Sequence, residues 1–246
     1  DAIGFKATNN AVNPVAALNG SQKAVMLLNI EPDMDWAGSE AAKQALVQAQ
    51  TVIALTPFQS ESLRELADVM LPVTPSTETS GSFVSMEGRL QSFHGVVKPY
   101  AQSRPMWKVL RVIGNELDLD GFDYTSSEEV LARACINSDS IVGKLNNQVQ
   151  NVASTGLQAA SGLVRVGGVG IYQTDSVVRR SAPLQATVHA AIPAASVHPK
   201  TLAALQLTDA AQVVVKSGAA SVLVTVVADK TVAENVVSLP LHPQNK

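Results

Sequence analysis

Ala24-Val25-Met26-Leu27-Leu28, Thr51-Val52-Ile53-Ala54-Leu55 and Asp68-Val69-Met70-Leu71-Pro72-Val73 decide the fold of this 246-residue chain. Each is a short apolar run. The first is stopped by Asn29-Ile30-Glu31-Pro32 and the second by Thr56-Pro57. A run without polar alternation fits a strand buried on both faces, as in a parallel sheet. Between the runs the period changes. Ser39 is a helix N-cap, and Ala42, Ala45, Leu46 and Ala49 share one face of a helix running to Gln50. Ser60 caps a second helix, with Leu63 and Leu66 turned inward. Strand–helix–strand–helix–strand order requires right-handed crossovers and a parallel sheet. The reading is an α/β chain carrying a partial doubly wound parallel sheet with flanking helices.

Outward from this segment the texture shifts. Residues 1–22 are small and polar and predict a loop with one short helix. After Pro75, Phe83-Val84-Ser85 and Arg89-Leu90-Gln91 predict the arms of a hairpin around Met86-Glu87-Gly88. Ser103 caps a helix with Pro105 in its first turn and Trp107, Leu110, Ile113 and Leu117 at helical spacing, with Trp107 a buried anchor. Ser126 or Ser127 caps another helix, Glu128 to Cys135, whose first-turn acids suit the helix dipole. Residues 137–180 read as a linker or inter-domain segment between a first domain, 1–136, and a second, 181–246. In the second, Gln212 to Lys216, Val222 to Val227 and Asn235 to Leu239 are strands. A short helix with Leu202 and Leu205 buried lies between Val197 and Leu207. Short strands around one small helix predict a compact β-barrel.

Composition narrows the function classes. Net charge is −3, which gives no electrostatic reason for a nucleic-acid or anionic-membrane partner. The longest apolar runs are too short to span a bilayer. Asp1-Ala2-Ile3-Gly4 has neither the basic nor the apolar region of a signal peptide. The chain opens without an initiator Met and reads as a piece of something longer. Cys135 is the single cysteine, and His94, His189, His198 and His242 are scattered. Clusters and structural zinc need several such ligands around one point, so these residues predict no metal site. Val166-Gly167-Gly168-Val169-Gly170-Ile171 lacks the spacing of a phosphate loop and a following helix, and reads as a turn or connector.

Two places remain as candidate sites. Ligands of open parallel sheets bind at the C-terminal ends of strands, here Asn29 to Pro32 and Thr56 to Phe58. Glu31 and Asp33 would repel a pyrophosphate there. Glu78 and Glu87, flanking Gly81 and Gly88, are carboxylates of the kind used in acid–base work, and equally of the kind common in surface loops. Arg89 pairing with one of them would fix the hairpin.

Ala67-Asp68-Val69-Met70-Leu71-Pro72 followed by Glu78-Thr79-Ser80-Gly81-Ser82-Phe83-Val84-Ser85-Met86-Glu87-Gly88-Arg89-Leu90-Gln91 resembles a pattern of molybdopterin oxidoreductases. The wider run, with Arg104-Pro105-Met106-Trp107-Lys108 and Tyr172 to Gln185, is similar to the large iron–sulfur subunit of bacterial respiratory NADH:quinone oxidoreductase, complex I. The resemblance implies a double-psi β-barrel at the C-terminus, with Val197 to Val215 in its opening stretch. The family's Asp-Gly-Asp turn is here Asp209-Ala210-Ala211. Its strand-end Gly-x-Asn-Pro, which serves one nucleotide, is here Asn29-Ile30-Glu31-Pro32.

From that likeness the chain is expected to be the scaffold part of this large iron–sulfur subunit in the peripheral arm, carrying no catalytic residue, metal or cofactor. The parent's iron–sulfur clusters would lie upstream. Asn29, Glu31, Glu78, Gly81, Glu87 and Arg89 would be the remnant of a pterin site. Partners would be other complex I subunits, with no nucleic acid and no direct membrane insertion. The place would be cytoplasmic, on the inner face of the inner membrane through the complex. The competing expectations are the cofactor-binding half of an active, formate dehydrogenase-like molybdopterin oxidoreductase, and a stand-alone interaction module.

Overall fold

The computed structural model describes residues 22–36, 39–134, 162–191, 194–218 and 220–240. Cys135, His242, the N-terminal loop and most of the 137–180 segment lie outside them. The chain divides into two compact units, Asp1–Val152 and Ala153–Lys246.

In the first unit, β1 (Ala24–Leu28), β2 (Thr51–Thr56) and β3 (Val69–Pro72) pair in parallel in that order. Helices α1 (Ser39–Gln48) and α2 (Glu61–Leu66) cross between them. Each crossover steps the same way across the sheet, so right-handed connections put both helices on one face. Leu46 and Leu63 accordingly share a buried cluster with Leu27, Val52 and Ala54. Ser60 caps α2 through its hydroxyl, which accepts the Leu63 N–H at 3.3 Å.

The expectation that the first strand is buried on both faces is corrected, while the second is buried as expected. Only β2, flanked on both edges, is buried along most of its length. Met26, Leu28 and Val69 of the outer strands keep about two-fifths of their surface exposed. Both helices cover the face that carries Leu27 and Ala54, not the one that carries these residues.

Beyond β3, Ser76–Glu78 forms a 3-10 turn, and β4 (Gly81–Val84) and β5 (Leu90–Phe93) make the expected hairpin. Helix α3 (Met106–Glu116) follows Pro105 with no side-chain cap. Ser103 is not its cap; its hydroxyl donates to the Tyr100 carbonyl at 2.6 Å. Trp107 is half-buried, and Leu117 is exposed past the helix end rather than packed. Helix α4 (Ser127–Arg133) is capped by Ser126, whose hydroxyl accepts the Glu129 N–H.

The second unit is built on a five-stranded mixed sheet in the order β6-β10-β7-β9-β8. The strands are β6 (Val164–Val166), β7 (Ala195–Val197), β8 (Gln212–Ser217), β9 (Ala220–Ala228) and β10 (Val236–Ser238). Two helices, α5 (Ala182–Gln185) and α6 (Pro199–Ala204), interrupt them. β8 and β9 form the expected Val-rich hairpin, turned at Gly218 with φ 58°. Val224 and Val226 alternate into a core with Val197, Leu202, Val237 and Leu239. Leu205, expected inside, is 43% exposed because α6 ends at Ala204. Among the described residues β6 and β8 are the edges of this sheet, which curls into a half-barrel, the coarser form of the expected barrel. Val164–Val166, within the expected connector, pairs in parallel with β10.

Candidate functional site

Asn29 ends β1 in the left-handed region, φ 54°, and its N–H donates to the Leu55 carbonyl. Asparagine tolerates this conformation better than other residues with a Cβ. The turn therefore keeps a glycine-like backbone without a glycine. Its donors are directed inward. The Glu31 N–H donates to Asp35 Oδ2 at 2.8 Å, and the N–H groups of Met34 and Asp35 both donate to the Glu31 carbonyl. Ser62 of α2 donates to Asp33 Oδ1 at 2.6 Å. Glu31 itself is 4% exposed. Three carboxylates at one strand end, with the N–H groups of Glu31, Met34 and Asp35 already engaged within the turn, do not suit a phosphate.

The hairpin residues have structural roles. Gly88 lies at φ 78° in the turn, and its N–H donates to the Ser85 carbonyl. The Ser85 hydroxyl accepts the Arg89 N–H, and the Ser85 N–H donates to the Arg89 carbonyl. Gly81 sits opposite Phe93 in the hairpin register, and a Cβ there would stand 2.8 Å from the ring. Phe83 stacks on Phe93 with centroids 5.3 Å apart. Glu78 Oε2 accepts the Tyr100 N–H at 2.9 Å. Glu87 and Arg89 are exposed. The expected pairing of Arg89 with Glu78 or Glu87 does not form; backbone and serine hydrogen bonds fix the turn instead.

Sequence reasoning missed a tight network in the second unit. Here 3-10 turns at Ile171–Gln173 and Val178–Arg180 lead into α5. Asp175 Oδ1 accepts the N–H groups of Val177 and Val178, both at 2.8 Å. Gln185 Nε2 donates to the carbonyls of Tyr172 and Val178, and Gln185 Oε1 accepts Gln173 Nε2 at 3.1 Å. Arg179 Nη1 reaches the Gln173 carbonyl and Arg180 Nη1 the Ser176 carbonyl. Gln173 is 7% exposed, and its Oε1 is buried with no donor. A buried acceptor left this way is costly and calls for a donor from elsewhere. The only signal in the sequence was Tyr172 to Gln185 itself; nothing in its periodicity singles out Gln173.

Residues 2–116 match the molybdopterin oxidoreductase family, and residues 163–245 match the molydopterin dinucleotide binding domain. This chain belongs to the molybdopterin oxidoreductase family. A formate dehydrogenase-like protein of Staphylococcus aureus is 38% identical over 65 residues, 26% of this chain and 6% of that protein. The NADPH-Fe(3+) oxidoreductase subunit alpha of Geobacter sulfurreducens is 31% identical over 98 residues, 40% of this chain and 12% of that protein. The matched stretches are thus a small share of these relatives' length. Acetylene hydratase from Pelobacter acetylenicus shares the fold, with a TM-score of 0.61 and 15% identity over 93% of this chain and 39% of that one.

These matches correct one expectation. The family's dinucleotide-binding domain occupies the second unit, so the expectation of no cofactor in this part of the protein is overturned. The second unit suits such a group. Gln173 Oε1 offers an acceptor, and Arg179, whose Nη1 donates to the Gln173 carbonyl, is a cation beside it. Among the described residues no group of three or more His, Cys, Asp or Glu could hold a metal ion, and no helix is long and apolar enough to cross a membrane.

Proposed function

We propose that this chain is the cofactor-holding part of a formate dehydrogenase-like molybdopterin oxidoreductase, with the dinucleotide contacts in its second unit. Gln173 carries the reading. A buried amide oxygen without a donor is matched by the ring or exocyclic N–H groups of a pterin or guanine. Arg165, Arg179 and Arg180 would hold the phosphates by charge. The network through Gln185 keeps the Gln173 amide from turning, which orients the acceptor before ligand arrives. When bound, the molybdopterin supplies the oxidoreductase chemistry, and the chain's own task is binding and orientation. The β6-to-β10 sheet is, on this reading, part of a double-psi barrel.

Titrating guanosine nucleotides into the 246-residue chain tests the reading. Saturable binding is expected, weakened roughly tenfold by Gln173→Ala. No saturable binding, or binding indifferent to Gln173→Ala, would overturn it.

A second reading is favoured by the acidic turn after β1. The carboxylates of Glu31, Asp33 and Asp35 suit a chain whose first unit has given up phosphate contacts, as the likeness to the large iron–sulfur subunit of complex I suggests. Its partners would be other subunits of that complex, at the cytoplasmic face of the inner membrane. Purification of the native protein separates the two. NADH-oxidising partners would favour the complex I reading, and formate oxidation the first.

A further inference from the structure

Helix α3 leaves one stripe uncovered. Lys108, Val112, Asn115 and Glu116 are exposed, at the spacing that puts them on a single helix face. Val112 sits at the centre of that stripe and is 51% exposed. Past the helix end Leu117 and Leu119 are exposed as well, alternating with exposed Asp118 and Asp120. Asp118 takes the left-handed region, φ 52°, and its N–H and that of Leu119 donate back to the Asn115 and Gly114 carbonyls. That closure fixes the stretch after the helix to the helix itself.

The charges of α3 run against its dipole. Lys108 lies in the first turn, with Arg104 just before the helix. Glu116 closes the last turn, with Asp118 and Asp120 just beyond it. The first turn holds no acid and the last turn no base. Positive charge at a helix N-terminus and negative charge at its C-terminus are the unfavourable placements. Among the described residues neither Lys108 nor Glu116 forms an ion pair; Lys108 Nζ lies 5.3 Å from the centre of the Trp107 ring. A helix with this order of charges is poorly matched to its own dipole and well matched to a copy of itself running the other way.

We propose that the exposed face of α3 is a self-docking surface, at which two copies of this chain pair about a twofold axis through Val112. In an antiparallel pair centred there, position 108 of one helix faces position 116 of the other, because the two are equally far from 112. Lys108 of each copy then meets the partner's Glu116, and the two Val112 side chains meet at the axis. The N-terminal end of each helix also lies beside the C-terminal end of the other. The placement that is unfavourable in one copy becomes favourable in the pair. Leu117 and Leu119 carry the contact past the helix, toward the start of the partner's helix, where Val96 and Val97 are exposed beside Arg104 and Lys108. An 11-residue helix is only about 16 Å long. A contact of that length falls below the roughly 1,000 Å² of a stable interface, so the dimer is weak and reversible. The pairing lies wholly in the first unit and does not depend on the dinucleotide reading of the second.

The test is sedimentation equilibrium of the 246-residue chain from low to high micromolar concentration. A monomer–dimer equilibrium is expected, weakening as salt rises because its ion pairs are screened. Lys108→Glu alone and Glu116→Lys alone should each weaken dimerisation about tenfold, since each sets like charges opposite one another twice. Mixing the two variants should restore a dimer with one chain of each kind, because every contact between positions 108 and 116 again joins opposite charges. Neither substitution should lower the thermal melt, since each brings one helix end into accord with the dipole. Val112→Asp should abolish the dimer with little change in the melt. A chain that stays monomeric at high micromolar concentration would overturn the proposal and leave this face to a different protein. A dimer that survives both charge reversals would also overturn it, and would move the contact elsewhere, such as the exposed sheet face of Met26, Leu28 and Val69. So would two reversed variants that fail to pair with each other, or higher oligomers in place of a dimer.

Discussion

The Glu78 carboxylate accepts the backbone N–H of Tyr100 at 2.9 Å, across 22 residues of chain. Glu78, expected to mark a remnant pterin site, thereby ties the 94–104 segment, a strap, to the turn after β3. Glu78→Ala should cost about 0.5–1.5 kcal/mol, the net worth of one such hydrogen bond at a half-buried site. Hydrogen exchange at the Tyr100 amide should accelerate more than exchange in β2. Unchanged protection at Tyr100 would show that the strap is held without Glu78.

Gly167 touches the backbone of Leu239 so closely that an added Cβ would overlap its carbonyl group. That carbonyl also accepts Nε and Nη2 of Arg165. A backbone obstacle cannot swing aside as a side chain can. Gly167→Ala should therefore destabilise the second unit by about 1–3 kcal/mol. A thermal melt identical to the parent's would contradict this close contact.

Ala210 sits at φ 61°, in the turn where the related pattern has glycine. Asp209 holds the turn by accepting the Ala228 N–H, and Ala210 donates to the Val226 carbonyl. The left-handed strain on alanine is about 1–2 kcal/mol, and glycine's extra unfolded-state freedom offsets about 0.4–1 of it. Ala210→Gly should raise stability by up to about 1.5 kcal/mol in denaturant unfolding. A loss of stability would mean that the turn is not left-handed.

Glu129 accepts both the N–H and the hydroxyl of Thr125 while its own N–H is capped by Ser126. The Thr125 backbone N–H, then its hydroxyl, hold the Glu129 carboxyl below the usual glutamate range. A carboxyl depressed in the folded state stabilises fully above its unfolded value, and that contribution disappears as pH falls through the lowered folded value. The start of α4 should thus loosen only below the ordinary glutamate range. An NMR titration of the Glu129 carboxyl checks the direction; a midpoint at or above the ordinary value would contradict it.

The three-strand sheet was legible because its runs are apolar and helical faces separate them. The burial of β1 and β3 was not. An apolar run of five residues looks the same whether one face or both are covered. Strands β6 and β7 are three residues each, too short to show alternation. Ser103 had the chemistry of a cap, but its hydroxyl closes the preceding turn on Tyr100 instead. At the candidate sites Glu78 and Gly88 stood out by residue type, yet their roles depend on contacts across the chain. Gln173 was invisible for the same reason. Its buried oxygen is defined by Gln185 and the surrounding turns, twelve residues further on.

The most direct test of the central claim is the pterin content of the native, full-length protein purified from its source. Oxidative release followed by fluorescence and nucleotide analysis would measure it. A pterin dinucleotide in stoichiometric amount is expected, with its loss on Gln173→Ala with Arg179→Ala in a protein that still folds. A folded native protein with no pterin, or one whose pterin content ignores those substitutions, would contradict it.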